Sequence, residues 1–283
     1  MNNEIKHKVK KAVQLFSITV VSAIVLLSCN WFGHKNEKFI FNPRLNKVYH
    51  FSLSKYSTQS WTYQSVPWNL FDTVYLNFSL ENIHQTDSSD TCKFVLERFI
   101  WKGKFKVNYH RDSLHALSTT IVVSDSGKVE WVQNMNAILQ DIENDSATGK
   151  YLNGVIPDQV SETAITDLLT RIFSVIPAKR IKPQDTWITN ITLNTKHPIN
   201  FSNYNVLTSR NDDTAAIEIQ SNIFARPSPG DDFYIKGNQK GEALINYQTG
   251  IPFSYKTQSE IVTTTSHYDI KNTENFILNR TGK

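Results

Sequence analysis

The chain has 283 residues, of which 40% are apolar and 20% charged, a composition that excludes a disordered chain and a membrane protein with many spans. Its aromatic content of 12% and its mere 10 glycines, with abundant Thr, Asn and Ser, favour β structure. The net charge of +4 comes mainly from residues 1–28, since the remainder carries 26 basic and 25 acidic residues. We therefore expect no nucleic-acid partner.

The amino terminus has the three parts of an export signal. A Lys-rich head, Asn2–Lys11, precedes a mostly apolar stretch, Ala12–Leu27, and then the small residue Ser28. The apolar stretch has about 16 residues, fewer than the roughly 20 that a bilayer-spanning helix needs. We expect residues 1–28 to be a cleaved signal peptide. The alternative is an uncleaved anchor helix followed by an incidental cysteine.

The segment Leu26-Leu27-Ser28-Cys29 resembles the lipobox of bacterial lipoproteins. The resemblance implies cleavage between Ser28 and Cys29 and a lipid on the Cys29 thiol, and two or three acyl chains hold a protein firmly on a membrane. Asn30 stands where an Asp would signal retention in the inner membrane, so the resemblance implies an anchor in the outer membrane with the domain facing the periplasm. Residues 29–38 then form the lipidated cysteine and a short tether. Cys92, left without a partner, is expected to be a buried and inert strand residue.

Alternating apolar residues predict strands within residues 39–133. The clearest alternation is Val74–Leu80, and Thr119–Val132 predicts a hairpin with its turn on Gly127. The other predicted strands of this half are Tyr49–Leu53, Trp61–Tyr63 after a break, Lys93–Trp101 and Phe105–Tyr109.

Helical periodicity follows within residues 134–176. Met135–Ile142 fits one helical face. A longer helix, Asp158–Ile176, is predicted to be capped by Asp158 and stopped by Pro177. Its apolar stripe consists of Ile165, Leu168, Leu169, Ile172, Phe173 and Ile176.

Strand patterns resume in residues 186–283 and indicate an antiparallel meander. The predicted strands are Thr186–Asn194, Phe201–Ser209, Ala215–Phe224, Glu242–Tyr247 and Phe253–Thr265. Val122–Val129 and Ile245–Pro252 are similar strand–turn–strand units, which suggests a rough internal duplication, although a generic hairpin explains each copy equally well.

We predict an α+β fold with predominantly antiparallel β structure. Residues 39–283 would form one domain, in which two curved β meanders, 39–133 and 186–283, pack on a central pair of α-helices within 134–176.

The segment Ile176–Trp187 resembles a family of uncharacterised lipoproteins common in Bacteroidetes. In that family an amphipathic helix ends in Pro-x-Lys-x-Val-x-x-Gly-Asp-x-Trp and leads into a β half. Ser124–Val129 and Thr249-Gly250 match two hairpins of the family, whereas Gln184 stands where the family usually has Gly. The resemblance covers most of Phe39–Lys283 and implies the fold and an envelope location, but no activity.

Triplets of Asp, Ser or Thr, and an apolar residue resemble the O-glycosylation motif of exported Bacteroidetes proteins. Two of them, Asp145–Ala147 and Asp213–Ala215, fall in predicted loops. They make Ser146 and Thr214 the candidate glycosylation sites.

No motif predicts catalysis, a metal or a cofactor. The chain lacks Gly-x-Ser-x-Gly, His-Glu-x-x-His, a phosphate loop and a dinucleotide fingerprint. His110-Arg111-Asp112 lacks the other parts of a kinase catalytic loop, and His110 and His115 do not share a helical face. The acidic stretches are interpreted as solvated turns: Asp87–Asp90, Asp212-Asp213 and Asp231-Asp232. We expect a protein that is not an enzyme.

Three functions remain open. The first is a membrane-anchored envelope lipoprotein that binds another envelope component or has a structural role, which requires an exposed apolar patch. The second is a carrier of lipid or another apolar ligand, which requires an apolar cavity of about 300 Å³ or more between sheet and helices. The third is an unrecognised hydrolase, which requires a cleft with convergent polar groups. Five tryptophans are expected to fill the core, or else to line a concavity for an apolar ligand: Trp61, Trp68, Trp101, Trp131 and Trp187.

Overall fold

A computed structural model describes residues 39–103, 108–112, 118–133, 135–144, 157–177, 181–194, 198–225 and 232–282. Lys38–Lys283 form one compact unit. The predicted signal peptide, Cys29, the tether and Ser146 lie outside the described residues. What the sequence predicts for them therefore stays a prediction.

The described residues contain twelve strands, all in one antiparallel sheet. The strands are β1 Val48–Tyr63, β2 Val66–Gln85, β3 Ser89–Lys102, β4 Asn108–Asp112, β5 Ser118–Ser124, β6 Val129–Gln133, β7 Thr186–Leu193, β8 Ile199–Arg210, β9 Thr214–Ala225, β10 Phe233–Asn246, β11 Pro252–Thr265 and β12 Asp269–Thr281.

The two predicted meanders are joined into one sheet. Its order is β6-β5-β3-β2-β1-β12-β11-β10-β9-β8-β7, and β4 pairs with β3. β1 pairs with β12 from His50 opposite Thr281 to Ser60 opposite Lys271. The two predicted meanders are therefore the halves of one sheet and not separate layers packed on helices, because this pairing joins strands at opposite ends of the domain sequence.

The predicted strands also differ from the observed ones in several places, and the strand predicted at Phe105–Tyr109 is described as β4 Asn108–Asp112. β12 is absent from the prediction, β10 begins at Phe233 rather than Glu242, and β1 runs without the predicted break. The hairpin at Gly127 is confirmed, as are the strands that became β7, β8, β9 and β11.

The sheet is strongly curved. Phe94 on β3 and Ile121 on β5 belong to the same packed core as Ile217 on β9 and Ala243 on β10. β5 and β9 are seven strand positions apart in the sheet, about 34 Å if it were flat at roughly 4.8 Å per strand. Since α3 also contacts β6 and β7, at opposite edges of the sheet, the sheet curls around this shared core, and the face that lines the core is the concave face.

Three short helices accompany the sheet in the described residues: α1 Asn136–Asn144, α2 Pro157–Val160 and α3 Glu162–Phe173. The predicted helix Asp158–Ile176 is interrupted at Ser161, whose side chain accepts a hydrogen bond from the Ala164 backbone N–H and caps α3. The prediction of Asp158 as the cap is wrong. The fold is mostly antiparallel β, and the expectation of an α+β fold with a central helix pair overstated the helices.

One end of the sheet is closed by the segment 39–42. The Phe41 N–H donates to the Asp125 carbonyl (2.8 Å) and the Asn42 N–H donates to the Thr249 carbonyl (2.9 Å). These carbonyls belong to the two turns that contain Gly127 and Gly250, whose φ angles are 78° and 68°. Both turns need glycine, because a Cβ would contact the backbone of α3 at Gly127 and of the closing segment at Gly250.

Candidate functional site

Helix α3 lies against the concave face between the two edges of the sheet. It contacts the edge strands β6 and β7 and also the central strand β11. A cavity of about 270 Å³, here named the α3 cavity, lies between α3, α2 and the sheet. Its apolar lining is Leu53, Val74, Leu76, Ala164, Leu168, Leu193, Ile199, Phe201, Ile261 and Phe276. Its polar lining is Lys55, Gln159, Asp167, Arg171, Asn272 and Glu274.

A buried ion pair forms the polar side of the α3 cavity. Nη1 of Arg171 lies 2.6 Å from Oε1 of Glu274 on β12. Nη2 of Arg171 donates to Oε1 of Gln239 on β10 at 2.7 Å and to the Thr257 hydroxyl on β11 at 3.4 Å. The guanidinium also lies 4.9 Å from the ring centroid of Phe276. One side chain of α3 thus holds three central strands.

The charges of the pair stabilise each other. Burial alone would raise the pKa of Glu274, but the positive charges of Arg171 and Lys55 outweigh it, and the pKa is lowered. Burial raises the pKa of Asp167, whose carboxylate accepts hydrogen bonds of 2.9 and 3.1 Å from the Asn194 N–H. Asp167 thereby ties α3 to the end of β7.

A line of polar side chains crosses the concave face through Glu274. Each member is paired in register with the next on the adjacent strand, from β7 through β12 and on to β1 and β2. This polar row consists of Thr189, Asn203, Ser221, Gln239, Ser259, Glu274, Ser57 and Asp72. Residues directly opposite each other on paired strands share a face, so all eight side chains lie on the concave face.

The polar row separates two hydrophobic clusters. The main core lies on one side and includes Ile219 and Phe276. On the other side Ile191, Phe201 and Ile223 form a smaller cluster, which we name the second cluster, with partly buried neighbours. The α3 cavity has walls from both clusters and from the row between them.

A groove of about 940 Å³, the edge groove, lies on the other flank of α3. It is bounded by the β5–β6 turn, by α3 and by β7, and it reaches the row at Thr189. Trp187 and Asp167 also line it. The α3 cavity and the edge groove therefore approach the polar row from opposite sides of the helix.

The hairpin of β1 and β2 carries an exposed aromatic surface. Its tip pairs only within itself, because β1 pairs with β12 no further than Ser60 and β2 pairs with β3 from Thr73 onward. No charged residue occurs from Tyr56 to Phe71. Phe71 is 69% exposed and Trp68 is 49% exposed.

The tryptophans divide between core and surface. Trp101 and Trp187 are buried, which confirms the core prediction for these two. Trp61 and Trp68 stack in parallel at 6.1 Å on the hairpin, and Trp131 is 44% exposed. For these three the core prediction is wrong.

Of the other sequence candidates, Cys92 is buried on β3, and burial raises the pKa of its thiol to about 12, so the thiolate is disfavoured. Thr214 lies at the start of β9, and its hydroxyl donates to Asn211 at 2.8 Å. Asp90 is not the solvated turn residue that was expected. It lies on β3 with 1% exposure and accepts a hydrogen bond of 2.9 Å from Asn82.

Within the part of the chain that the structure describes, no three His, Cys, Asp or Glu side chains are grouped so as to hold a metal ion. The same residues include no helix long and apolar enough to cross a bilayer.

The sequence patterns do not single out Arg171 or Glu274. One signal was present, since Arg171 is a charged residue that follows Leu168 by three positions on the apolar stripe of α3. A buried cation needs a buried partner. That partner, Glu274, lies 103 residues further along the chain.

Comparisons with known proteins identify a protein family, whereas the solved structures reported below have low TM-scores. No curated protein matches the sequence. A lipovitellin chain, from a study of lipid–protein interactions, is 10% identical with a TM-score of 0.44; the match covers 84% of this chain and 25% of that chain. An outer membrane channel from Pseudomonas putida F1 is 8% identical with a TM-score of 0.24, over 85% of this chain and 98% of the channel. At these scores the similarities carry no inference.

The family match covers residues 107–252, which include the hairpin at Gly127, α3 and the strands β7 to β10. The sequence-based expectation of an uncharacterised family is confirmed. The chain belongs to a family of unknown function, DUF6263.

Proposed function

We propose that this chain is a non-catalytic binding protein of the bacterial envelope, which holds a small amphiphile in the α3 cavity. The observation that carries the proposal is the lining of this cavity, where apolar walls from two clusters flank the Arg171–Glu274 pair. A ligand with an apolar part and a polar part would match both kinds of wall.

The size of the cavity favours a small amphiphile over a bulky lipid. A carrier of wholly apolar cargo would need about 300 Å³ or more of apolar space. The α3 cavity measures about 270 Å³ and is partly polar. A single acyl chain with a compact polar group suits this volume better than a lipid with two chains.

The state of the charged groups supports a binding role. Arg171 and Glu274 neutralise each other, and the lowered pKa of Glu274 keeps it ionised at neutral pH. A general acid needs a pKa near the working pH. This pair therefore suits recognition better than proton transfer.

A fluorescence titration tests the binding site. The compact unit Lys38–Lys283, which contains the whole described core, is titrated with N-phenyl-1-naphthylamine, a neutral apolar fluorophore. We expect saturable binding, and displacement of the dye by compounds with a dodecyl chain.

A matched pair of variants on α3 locates the bound dye. Ala164 lines the cavity, whereas its neighbour Thr163 is exposed and does not. Ala164→Leu should weaken binding at least about fivefold by filling the cavity, and Thr163→Leu should leave it unchanged. No binding to the unaltered domain, or equal binding to both variants, would contradict the proposal.

The envelope location is proposed from the lipobox-like segment and is tested separately. Cys29→Ser should release the domain from membranes or block maturation, because the lipid would have no thiol to join. Cys92→Ser should leave localisation unchanged. A Cys29→Ser protein that stays on membranes at its mature size would overturn the proposed anchor.

A second role, docking on a lipid surface of the envelope, is favoured by the uncharged hairpin tip. Trp and Tyr rings concentrate at membrane–water interfaces because they have apolar bodies and polar tips. Replacing both Trp68 and Phe71 by Ser should reduce sedimentation of the domain with phosphatidylcholine vesicles. Trp131→Ser, which removes a similarly exposed ring from β6, serves as the control. Equal sedimentation of both variants would remove this role.

A further inference from the structure

The polar row is unusual for the inner face of a curved sheet. Such a face is expected to be apolar, and on β3 and β5 it mainly is, with Phe94, Leu96 and Ile121 fully buried and only Asp90 and Thr119 polar. On the strands from β7 to β12 the same face carries at least one polar residue per strand, and the members of the row are in register. Asn203, Gln239 and Ser259 are no more than 2% exposed.

Several atoms on and beside the row lack a partner. Among the described residues, the side-chain oxygens of Asn203, Asn205, Ser259 and Asn272 are buried without a hydrogen bond. A buried polar atom without a partner destabilises the fold, because it has lost its hydrogen bonds to water. In solution these oxygens must bond to water or to a ligand.

The unpartnered oxygens require donors. The amide nitrogens of Asn203 and Asn205 both donate to the Thr189 hydroxyl, at 3.5 and 3.1 Å, which leaves their carbonyl oxygens as acceptors. Glu274 and Asp72 add two carboxylates to the row. The Arg171 cation that reaches the row is paired with Glu274 through Nη1, and its Nε is the one buried donor of the cavity lining without a partner in the described residues. Lys55, the other cation of the lining, donates to Gln159 at 2.7 Å.

Two members of the row line a cavity, one on each flank of α3. Asn272 and Glu274 line the α3 cavity, and Thr189 lines the edge groove on the other flank of the helix. Asn203 and Ser259 lie on the row between these two ends. A polar group that enters the cavity beside Asn272 therefore reaches the row at its carboxylate end.

We infer that the polar row recognises the polar part of the bound amphiphile, and that it selects groups that donate hydrogen bonds, such as hydroxyl groups, over groups that only accept them. This inference rests on the proposed function and specifies its ligand class. A carboxylate ligand would meet the unpartnered oxygen of Asn272 and the charges of Glu274 and Asp167, whereas a hydroxyl group of a ligand would donate to the Asn272 oxygen. The apolar chain would lie against Phe201 and the second cluster.

Three compounds with the same chain length test this selection. 1-Monolauroylglycerol has two hydroxyl groups, methyl laurate has no donor, and laurate is an anion. Each is used to displace N-phenyl-1-naphthylamine from the domain 38–283. We expect 1-monolauroylglycerol to act at a concentration about three- to tenfold lower than methyl laurate, the effect of one net hydrogen bond, and laurate to be no better than methyl laurate.

Variants on and beside the polar row test which residues cause the preference for hydroxylated ligands. Asn272→Leu removes an acceptor that lines the cavity and should reduce the preference for 1-monolauroylglycerol about threefold or more, while methyl laurate binding is kept. Asn275→Leu changes an exposed residue of the same strand outside the α3 cavity and should keep the preference. Ser259→Ala, which deletes only an unpartnered hydroxyl, provides a second test if Asn272→Leu fails to fold.

The outcomes separate the two proposals. If no dodecyl compound displaces the dye, the proposed function itself is wrong. If all three displace it at equal concentration, or if Asn272→Leu and Ser259→Ala both keep the full preference, amphiphile binding stands and selection by the polar row is wrong. A preference that both the unaltered domain and Asn275→Leu show and Asn272→Leu loses supports the inference.

Discussion

The concave face of the sheet has two regions of contrasting chemistry. β3 and β5 bury a mainly apolar surface, interrupted by Asp90 and Thr119, whereas β7 to β12 carry most of the polar row between two hydrophobic clusters. The first region is what stability alone requires of an inner face, because each buried apolar side chain contributes about 1.5–3 kcal/mol. The second region contains buried polar atoms that stability alone does not require. In the proposed function, β7 to β12 and α3 supply most of the polar wall of the binding site, and β1 and β2 supply part of its apolar wall.

The largest expected loss of stability comes from breaking the Arg171–Glu274 ion pair, which lies on the strands of the polar row. Arg171→Leu should reduce the free energy of unfolding at pH 7 by about 3–5 kcal/mol, because Glu274 would remain buried without its partner. The loss should shrink as the pH falls, since protonation removes the unpaired charge. Urea unfolding of the domain 38–283 measures both effects.

The double variant Arg171→Leu with Glu274→Leu is the control for this prediction. It should recover most of the lost stability, because apolar residues can replace a buried pair at little cost. A loss in the single variant that does not depend on Glu274 would show that Arg171 acts by packing alone.

A substitution in the apolar region should lower the free energy of unfolding through lost packing, and this loss should not depend on pH. Leu96→Ala on β3 should cost about 3 kcal/mol, within the usual range of 2–5 for a buried leucine, because Leu96 is fully buried. Leu45→Ala, at a leucine that is 53% exposed, should cost less than about 1 kcal/mol. A strong pH dependence of the Leu96→Ala effect would contradict the division between the regions.

Asp90 is a buried carboxylate within the mainly apolar region. Its contribution to stability should change with pH in the opposite direction to that of an ion-paired carboxylate. Burial raises its pKa to about 6, against a hydrogen bond from Asn82 that lowers it. The folded protein therefore binds this proton more tightly than the unfolded chain, and its contribution to stability is lost as the pH rises from about 4 to 6.

Asp90→Asn tests this expectation. The variant should be more stable than the unaltered domain at pH 7, by at most about 3 kcal/mol, and should lose the rise in stability between pH 7 and pH 4 that Asp90 causes. Asp87→Asn, at an exposed residue of the same turn, should change stability by less than about 0.5 kcal/mol. A less stable Asp90→Asn protein at pH 7 would contradict the raised pKa.

The smallest expected effect concerns the link that leads from α3 into β7. Gln184 has a φ of 73°, a backbone conformation that glycine adopts without strain. The lipoprotein family that the segment Ile176–Trp187 resembles usually has Gly at this position. Gln184→Gly should stabilise the domain by about 0.5–1 kcal/mol. Gln220→Gly, in the middle of β9, should instead destabilise it. Calorimetric melting of both variants distinguishes local strain from a general effect of glycine.

The polar row also explains which strands could be predicted from the sequence. Val74–Leu80 was recognisable because its inward residues are all apolar. β12 was not, since Asn272 and Glu274 occupy inward positions and interrupt its alternation. On β10 the inward residues Gly237, Gln239 and Gly241 interrupt the apolar alternation in the same way. Ser57 interrupts it on β1. The period-2 pattern detects burial of apolar residues, so it fails where the buried face carries polar groups.

The sequence by itself determined the local features: the strands with an apolar inner face, the turns that need Gly127 and Gly250, and the apolar stripe of α3. These depend on periods of two or about 3.6 residues and on the backbone freedom of glycine, all of which neighbouring residues express. Only the tertiary structure decided that β1 pairs with β12, that eight polar residues align across the sheet, and that Arg171 meets Glu274. Each of these relations joins residues distant in the chain, and their positions become related only when the sheet curves and closes over α3.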